Sequence, residues 1–273
     1  MDKKLIAVFN DTLYCCESEV DLAIQCRRSI ENQIIYYDED DVEGFETNRN
    51  TKANPMQILV SKKRSFEAAG EYRNLGANIC VLNFASSLNP GGGVTSGSKA
   101  QEECLCRCST LYKCLTAKDC RDYFYDPHID DLDYLYNDDI IYTPNVVVFK
   151  SDEDLPERLP VKDRFMVNVI TCAAPNIKAA PKGSDAISDE KLSAIFKKRI
   201  RRIMEVAVAN ENDILIAGAF GCGVFGNSPE LVADAFKDVL KDFTYDLSAV
   251  EFAVFCKDGK TENYEAFKKV FSL

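Results

Sequence analysis

Residues 81–103 read Val-Leu-Asn-Phe-Ala-Ser-Ser-Leu-Asn-Pro-Gly-Gly-Gly-Val-Thr-Ser-Gly-Ser-Lys-Ala-Gln-Glu-Glu. The apolar residues at the start predict the end of a buried strand, and a glycine-rich loop follows it. Because Gly91, Gly92 and Gly93 carry no side chain, their main-chain N–H groups can approach a phosphate closely. The adjacent carboxylates Glu102 and Glu103 come soon afterwards and indicate acid–base chemistry beside that loop.

The glycine loop leads into a predicted helix. Ser98-Lys-Ala-Gln101 matches a capping box, so we expect the helix to begin near Lys99. An alternative interpretation needs no chemistry, because glutamates are common at helix starts and glycine runs often only form turns. The occurrence of both within fifteen residues after one strand favours a functional site. The apolar stripe expected to face the sheet consists of Ala100, Cys104, Cys108, Leu111, Tyr112 and Leu115.

Strand and helix patterns alternate along most of the chain, which predicts an α/β fold. Apolar runs predict buried strands at Gln57–Val60, Ala77–Phe84, Val146–Lys150, Phe165–Thr171, Asp213–Ala217 and Val250–Cys256. Helical periodicity lies at Glu17–Glu31, Phe66–Leu75, Ala100–Leu115, Glu190–Ala209, Pro229–Phe243 and Asn263–Phe271. We expect a mainly parallel or mixed sheet with helices on both faces and a ligand site beyond the carboxyl ends of the strands.

Two segments are less regular than the rest. Residues 1–50 are interpreted as a helical N-terminal extension packed on the core, and residues 51–273 as one further domain. The stretch Cys120–Asn145 is interpreted as a long insertion.

Composition restricts the classes of function. The net charge of −11 argues against a broad or sequence-specific nucleic-acid surface. The acidic runs Asp38–Glu43 and Asp126–Asp139 are expected to be solvated loops, and His128, the only histidine, to lie at the surface. A histidine in that position gives little support to nucleophilic catalysis of the Ser/His or Cys/His kind.

The twelve cysteines fit a reduced compartment, and several lie in apolar runs where any small hydrophobic residue would serve. No signal peptide and no membrane-spanning apolar run is visible, so we expect a cytoplasmic protein with no membrane partner. The spacing Cys104-x-Cys106-x-Cys108 lacks the paired Cys-x-x-Cys of a zinc site. We therefore expect no metal, no organic cofactor and a monomer.

A second glycine loop, Gly218-Ala-Phe-Gly-Cys-Gly-Val-Phe-Gly-Asn227, follows a second strand. Gly221–Gly226 matches the dinucleotide-binding pattern G-x-G-x-x-G, but that pattern belongs to the first strand–helix unit of its fold, and only one more strand is predicted here. We instead expect the two glycine loops to hold one diphosphate from opposite sides. Phe220 or Phe225 would then either stack on a base or pack in the core.

These motifs resemble those of the macrodomains, which bind ADP-ribose, and specifically those of the microbial-type poly(ADP-ribose) glycohydrolases. The signature of that family is three glycines, a short spacer and Gln-Glu-Glu. Gly91–Gly93, seven residues and Gln101–Glu103 match it. The similarity covers most of the chain from about Leu59 to Leu240, including Val81–Ser86, Leu105–Tyr112, Ile141–Val146, Thr171–Asn176 and Gly218–Asn227.

The resemblance implies a three-layer α/β macrodomain fold with an ADP-ribose cleft between the glycine loops. It implies that Glu103 is the catalytic acid/base and that Glu102 holds the ribose at the cleavage point. It also implies that Asn83 and Asn89 orient the ribose or the catalytic loop, and that Phe225 contacts adenine or the proximal ribose. The other expected ADP-ribose contacts are Gly91, Gly92, Gly93, Gln101, Gly218, Ala219, Phe220, Gly221, Cys222, Gly223, Val224, Gly226 and Asn227.

The implied activity is hydrolysis of the ribose–ribose O-glycosidic bonds of poly(ADP-ribose) on modified proteins, with release of ADP-ribose. Such cleavage passes through an oxocarbenium-like state and needs a proton for the departing hydroxyl and an activated water. One carboxyl group can serve both steps if burial and a neighbouring negative charge raise its pKa. The alternatives are a mono-ADP-ribosyl hydrolase and a non-catalytic ADP-ribose-binding macrodomain, which would be expected to lack the second glutamate.

Overall fold

The computed structural model describes residues 1–42, 55–131, 133–183, 185–243 and 246–271. The boundary predicted at residue 50 lies outside these residues. The helices are α1 (Lys3–Ser18), α2 (Val20–Glu31), α3 (Ser65–Tyr72), α4 (Gln101–Cys108), α5 (Leu111–Leu115), α6 (Lys118–Cys120), α7 (Asp126–Asp130), α8 (Asp189–Ala209), α9 (Pro229–Asp242) and α10 (Glu262–Phe271). The strands are β1 (Ile34–Tyr36), β2 (Gln57–Ser61), β3 (Ile79–Phe84), β4 (Ile140–Val148), β5 (Phe165–Cys172), β6 (Ile214–Ala217) and β7 (Ala249–Ala253).

Within the described residues, seven strands form one mixed sheet in the order β1-β4-β5-β3-β6-β7-β2. The strands β5, β3, β6, β7 and β2 pair in parallel. At one edge β4 pairs antiparallel with β5, and the short strand β1 pairs antiparallel with β4. The mixed sheet predicted from the sequence is therefore confirmed.

Alternate residues of the central strands face opposite sides of the sheet. On β3, Cys80 and Leu82 join an apolar cluster with residues of α8, α9 and α10. Ile79 and Val81 join a second cluster on the other face with residues of α1, α3, α4 and α5. Helices thus cover both faces, and the expected three-layer arrangement is confirmed.

The N-terminal segment contains two helices rather than the single helix predicted at Glu17–Glu31. The first begins after Asp2, whose carboxylate accepts hydrogen bonds from the main-chain N–H groups of Lys4 and Leu5. It ends at Glu19, where the backbone is extended. Strand β1, which was not predicted, follows α2; a strand of three residues is too short to show a periodic pattern.

The helix predicted at Ala100–Leu115 is broken into α4 and α5. Ser109 has an extended backbone between the two helices and forms an isolated bridge with Val148 of β4. The Thr110 N–H also donates to the Val147 main-chain oxygen at 3.1 Å. These contacts with the sheet override the local helical periodicity.

Residues 120–145, predicted to be an irregular insertion, contain regular structure. They include a π-helical turn at Arg121–Tyr125, helix α7 and the first half of β4. The sequence predicts a strand from Val146, whereas β4 begins at Ile140 and continues across a bulge next to Asn145, which has a φ of +54°. Pro144 and Asn145 interrupt the apolar run, and the interruption concealed this half of the strand.

The expectation of solvated acidic loops is correct for Asp126, Asp130, Asp131 and Asp133, which are exposed, but wrong for Asp138 and Asp139, which are buried. His128 is buried, with Nδ1 2.6 Å from the Phe124 main-chain oxygen and Nε2 2.7 Å from Asn137 Oδ1. Asp138 is also buried and lies 2.6 Å from Nε of Arg199, a buried residue of α8. This segment is therefore packed against α8, and the surface position expected for His128 is wrong.

The twelve cysteines are free thiols. None of the helices in the described part of the chain has the length and apolar character needed to span a bilayer. Within the same residues, no cluster of His, Cys, Asp or Glu side chains is arranged to hold a metal ion.

Candidate active site

The two glycine loops lie side by side at the carboxyl ends of the central strands β3 and β6. Strands β3 and β6 are parallel neighbours, so the loops that follow them leave side by side. A cleft of about 800 Å³ opens there. Its lining includes Gly92, Glu102 and Glu103 from the first loop and α4, and Gly221, Gly223 and Phe225 from the second loop.

The start of α4 is tied to the end of β3. The predicted capping box does not form, because the helix begins at Gln101 and its N-cap residue, Ala100, makes no side-chain hydrogen bond. Gln101 Nε2 instead donates to the Leu82 main-chain oxygen at 2.8 Å, and its Oε1 accepts the Phe84 N–H at 2.9 Å. These bonds fix the position of the two glutamates that follow.

The prediction of which side chains of α4 are buried is wrong in the first turn of the helix. Cys104 is only half-buried, whereas Glu102 and Glu103 are buried. Helix α1 covers part of α4, and Thr12 Oγ1 of α1 donates to the Arg107 main-chain oxygen at 2.6 Å. Because the N-terminal helix packs here, α4 is enclosed on more faces than its amphipathic pattern indicates.

Both carboxylate oxygens of Glu102 are held by hydrogen bonds. Oε1 accepts from Asn83 Nδ2 at 3.2 Å, and Oε2 accepts from the Ser86 N–H at 2.8 Å. Burial raises the pKa of Glu102 to about 8, and the charge of Glu103 acts in the same direction, although the bonds from Ser86 and Asn83 oppose both. Glu102 is therefore a fixed carboxyl group that holds a proton near neutral pH.

Glu103 has one oxygen held and one oxygen free. Oε1 accepts the Gly93 N–H at 2.8 Å. Oε2 is buried and has no hydrogen-bonding partner among the described residues. A buried carboxylate oxygen without a donor is unfavourable until a ligand supplies one. Since Glu103 lines the cleft, this oxygen is available to a bound group.

Glycine is required where each loop turns most tightly. Gly92 has a φ of +57°, and a Cβ atom there would lie 2.6 Å from Glu103 Oε1. Gly221 has a φ of +75°, and a Cβ atom there would lie 2.5 Å from the Cβ of Ala174. Other residues rarely adopt these backbone angles, so any side chain at either position would be strained and would collide with a neighbour.

The two phenylalanines of the second loop have different environments. Phe220 is fully buried, with its ring centroid 5.8 Å from that of Phe84 and 6.1 Å from that of Phe196. The structure therefore supports packing in the core, and not base stacking, for Phe220. Phe225 is half-buried, lines the cleft and lies 6.3 Å from the Tyr136 ring.

Ten of the residues predicted to contact ADP-ribose line the cleft, and eight do not. Asn227 is buried, and its Nδ2 donates to the main-chain oxygens of Pro175 at 2.8 Å and Gly221 at 2.9 Å, so it braces the second loop. The lining residues are Gly92, Gln101, Glu102, Glu103, Ala219, Phe220, Gly221, Gly223, Val224 and Phe225. The residues that do not line the cleft are Asn83, Asn89, Gly91, Gly93, Gly218, Cys222, Gly226 and Asn227.

A second group of lining residues, Arg64, Asp152 and Phe255, was not predicted from the sequence. The half-exposed ring of Phe255 follows β7, and the Arg64 guanidinium lies 3.8 Å from its centroid. Asp152 Oδ2 accepts the Phe66 N–H at 3.0 Å, whereas Oδ1 is buried without a partner among the described residues. Burial raises the pKa of this carboxyl. These residues belong to no sequence motif: Arg64 follows β2, Phe255 follows β7 and Asp152 follows β4, and only the fold brings them together.

Comparison with known proteins identifies the family. The model for the catalytic domain of microbial-type poly(ADP-ribose) glycohydrolase (PARG) matches residues 3–151. The structure of PARG from Thermomonospora curvata is 29% identical, with a TM-score of 0.88 over 99% of this chain and 100% of that chain. A structure of PARG from Deinococcus radiodurans in complex with ADP-ribose is 31% identical, with a TM-score of 0.80 over 90% of this chain and 96% of that chain. Among curated protein sequences, none matches this chain. The chain belongs to the microbial-type poly(ADP-ribose) glycohydrolase family.

Proposed function

We propose that the protein hydrolyses the ribose–ribose O-glycosidic bonds of poly(ADP-ribose) on modified proteins and releases ADP-ribose. Membership of the family supports this activity. The T. curvata relative has been crystallised with the inhibitor ADP-HPD, and the D. radiodurans relative with ADP-ribose. The observation that carries the proposal is the geometry of Glu103, a buried carboxyl group at the cleft with one oxygen held by a loop amide and the other without a partner among the described residues.

The charges around the cleft suit an anionic ligand. The chain has a net charge of −11, yet four cationic side chains line this cleft. They add to the main-chain N–H groups of the two glycine loops, which would hold the diphosphate between them. These cations lie beside the carboxyl groups of Glu102, Glu103 and Asp152, and together with the loop amides they would attract the diphosphate. The four cations are Arg64, Lys99, Lys257 and Lys260.

Glu103 performs the chemistry in this proposal. Its protonated form donates the Oε2 proton to the departing ribose oxygen as the glycosidic bond breaks, which leaves Glu103 as a carboxylate. A water then attacks the anomeric carbon, and Glu103 takes the proton that this water loses, which restores the starting state. The products are free ADP-ribose and a polymer shortened by one unit.

Glu102 and Asn83 position the ribose. Glu102 cannot rotate freely, because Asn83 and Ser86 hold its two oxygens. Asn83 does not line the cleft, so it acts on the ribose through Glu102, whose Oε1 accepts its Nδ2–H. A carboxyl group fixed in this way orients the substrate beside the oxygen of Glu103 that transfers the proton.

The second group of lining residues, Arg64, Asp152 and Phe255, would bind the adenine. The half-exposed Phe255 ring offers a stacking surface. Asp152 Oδ1, which has no partner among the described residues, would accept a hydrogen bond from the exocyclic amine. Phe225, which also lines the cleft, would then contact the proximal ribose.

We also propose that the protein acts in the cytoplasm as a monomer, since free thiols are typical of a reducing compartment. Residues 1–50 would form an extension of a catalytic domain at residues 51–273.

The proposed activity is tested by incubating the protein with poly(ADP-ribose) and, in parallel, with a mono-ADP-ribosylated protein. Release of free ADP-ribose from the polymer is the expected result. Release from the mono-modified protein alone would identify a mono-ADP-ribosyl hydrolase instead. Tight binding of ADP-ribose with no release from either substrate would identify a non-catalytic binding protein.

A further inference from the structure

Arg107 is a charged side chain in an unusual position. It lies on α4 one turn after Glu103, and 1% of its surface is exposed. Nη1 donates to the Ser98 main-chain oxygen at 2.6 Å, and Nη2 lies 3.3 Å from Cys104 Sγ. Nε is buried without a partner in the described structure. The guanidinium is thus bonded to a carbonyl and a thiol, and the Asp152 carboxyl acts on it through its charge. A charge buried in this way contributes little to stability alone.

A series of hydrogen bonds through the glycine loop links Arg107 to the carboxyl group of Glu103. Ser98, whose carbonyl Arg107 holds, donates its own N–H to the Gly93 main-chain oxygen at 3.1 Å. The Gly93 N–H donates in turn to Glu103 Oε1 at 2.8 Å. Three successive hydrogen bonds therefore connect two side chains that stand four residues apart on one helix.

This arrangement fixes the part of the loop that touches Glu103. Residues 93–98 precede α4, and both ends of this segment are hydrogen-bonded to side chains of that helix. Gly93 donates to Glu103, and Ser98 accepts from Arg107. Without the bond to Ser98, residues 93–98 would lose the side-chain contact that anchors them at that end. The Gly93 N–H would then hold Glu103 Oε1 less firmly, and the carboxylate would rotate away from its productive orientation.

We propose that Arg107 is a positioning residue for Glu103, acting through residues 93–98 of the glycine loop. The inference rests on the proposed function, because it concerns the acid/base of that reaction. Arg107 is not among the residues that line the cleft, so it does not bind the substrate directly. The expected signature is a loss in kcat that greatly exceeds any loss in ADP-ribose affinity.

The test compares Arg107→Met with Arg202→Met. Arg202 is a matched control because it is also largely buried and its guanidinium donates to loop carbonyls, those of Tyr37 and Asp40, neither of which lines the cleft. For each variant we would measure kcat on poly(ADP-ribose), the Kd of ADP-ribose by calorimetry, the Tm, and hydrogen exchange of residues 91–98.

For Arg107→Met we expect kcat to fall about tenfold or more, Kd to stay within about threefold, and exchange of residues 91–98 to accelerate. Arg202→Met should lower Tm to a similar extent with kcat within about twofold of wild type. The inference is overturned if Arg107→Met keeps wild-type kcat, or if Arg202→Met loses as much kcat.

The role of Arg107 can still be tested if Arg107→Met does not fold or if wild type is inactive. If Arg107→Met does not fold, Arg107→Lys retains the charge and one donor, and its kcat should lie measurably below that of wild type; an unchanged kcat would overturn the inference. If wild type releases no ADP-ribose, the proposed function fails, and hydrogen exchange alone decides the role of Arg107. Unchanged exchange of residues 91–98 in the Arg107 variant would then overturn it.

Discussion

Glu103 Oε1 accepts a 2.8 Å hydrogen bond from the main-chain N–H of Gly93, a residue ten positions earlier in the chain. The glycine loop therefore fixes this carboxyl group by one oxygen, and Oε2 has no partner among the described residues. The adjacent Glu102 is fixed separately, by Asn83 and Ser86. The pair thus combines one carboxyl group that is held on a single oxygen with one that is held on both.

Replacement of Gly92 by alanine should displace the Glu103 carboxyl group from its hydrogen bond with the Gly93 N–H. The new Cβ would lie 2.6 Å from Glu103 Oε1, so the carboxylate must move, and we expect ADP-ribose release to fall about a hundredfold. Gly76→Ala is the matched control, because Gly76 also has a positive φ, of +67°, but a Cβ there meets nothing within 4 Å. Both variants should lose about 1 kcal/mol of stability from backbone strain. Equal activity in the two variants would contradict the prediction.

The raised pKa of Glu102 predicts that stability depends on pH. Its folded-state pKa is about 8, against 4.5 for an ordinary glutamate. Below pH 4.5 both the folded and the unfolded protein hold the proton, and between pH 4.5 and about 8 only the folded protein does. The contribution of this group to the free energy of unfolding should therefore fall by about 1.4 kcal/mol per pH unit across that window.

Glu102→Gln isolates this contribution, because an amide does not titrate. We expect the variant to gain stability relative to wild type as the pH rises from 4.5 to about 8, measured by urea unfolding at several pH values. A difference in stability that stays constant over the same range would show that Glu102 is not protonated in the folded state.

The free Oδ1 of Asp152 predicts selectivity for adenine. Asp152→Asn keeps the shape and can still accept the Phe66 N–H, but it then presents a donor to the exocyclic amine of the base. We expect the affinity for ADP-ribose, measured by calorimetry, to fall about tenfold. An analogue with hypoxanthine, which has a carbonyl oxygen in place of the amine, should lose much less.

The matched control for this experiment is Glu153→Gln, at a neighbouring acidic residue that is exposed and does not line the cleft. It should bind both ligands as wild type does. If Asp152→Asn lost the same affinity for both bases, Asp152 would not contact the exocyclic amine.

Much of the architecture could be predicted because the central strands are continuous apolar runs. Strands β3 and β6 are buried on both faces, so their sequences show neither polar alternation nor helical spacing. Their parallel order then explains why two loops separated by more than a hundred residues meet at one cleft. The carboxylate pair was predictable because it lies beside one of those loops in the sequence itself.

The remaining errors arise where tertiary contacts override local patterns. The sequence around Gln101 matches a capping box, but the Gln101 amide instead forms hydrogen bonds with the Leu82 carbonyl and the Phe84 N–H of β3. His128 lies in an acidic run typical of a solvated loop, yet neighbouring aromatic rings and the Asn137 amide enclose it. Asp152 lies in no motif at all. Its significance depends on a single unpartnered oxygen, which only the packed structure reveals.

The most direct test of the account compares wild type with Glu103→Gln for release of ADP-ribose from poly(ADP-ribose), with ADP-ribose binding measured on the same preparations. The amide preserves the shape of the side chain and can still accept the Gly93 N–H, but it cannot exchange a proton. We expect release to fall about 10²- to 10⁴-fold while the Kd of ADP-ribose stays within about threefold. An undiminished rate of release by Glu103→Gln would contradict the assignment of Glu103 as the acid/base.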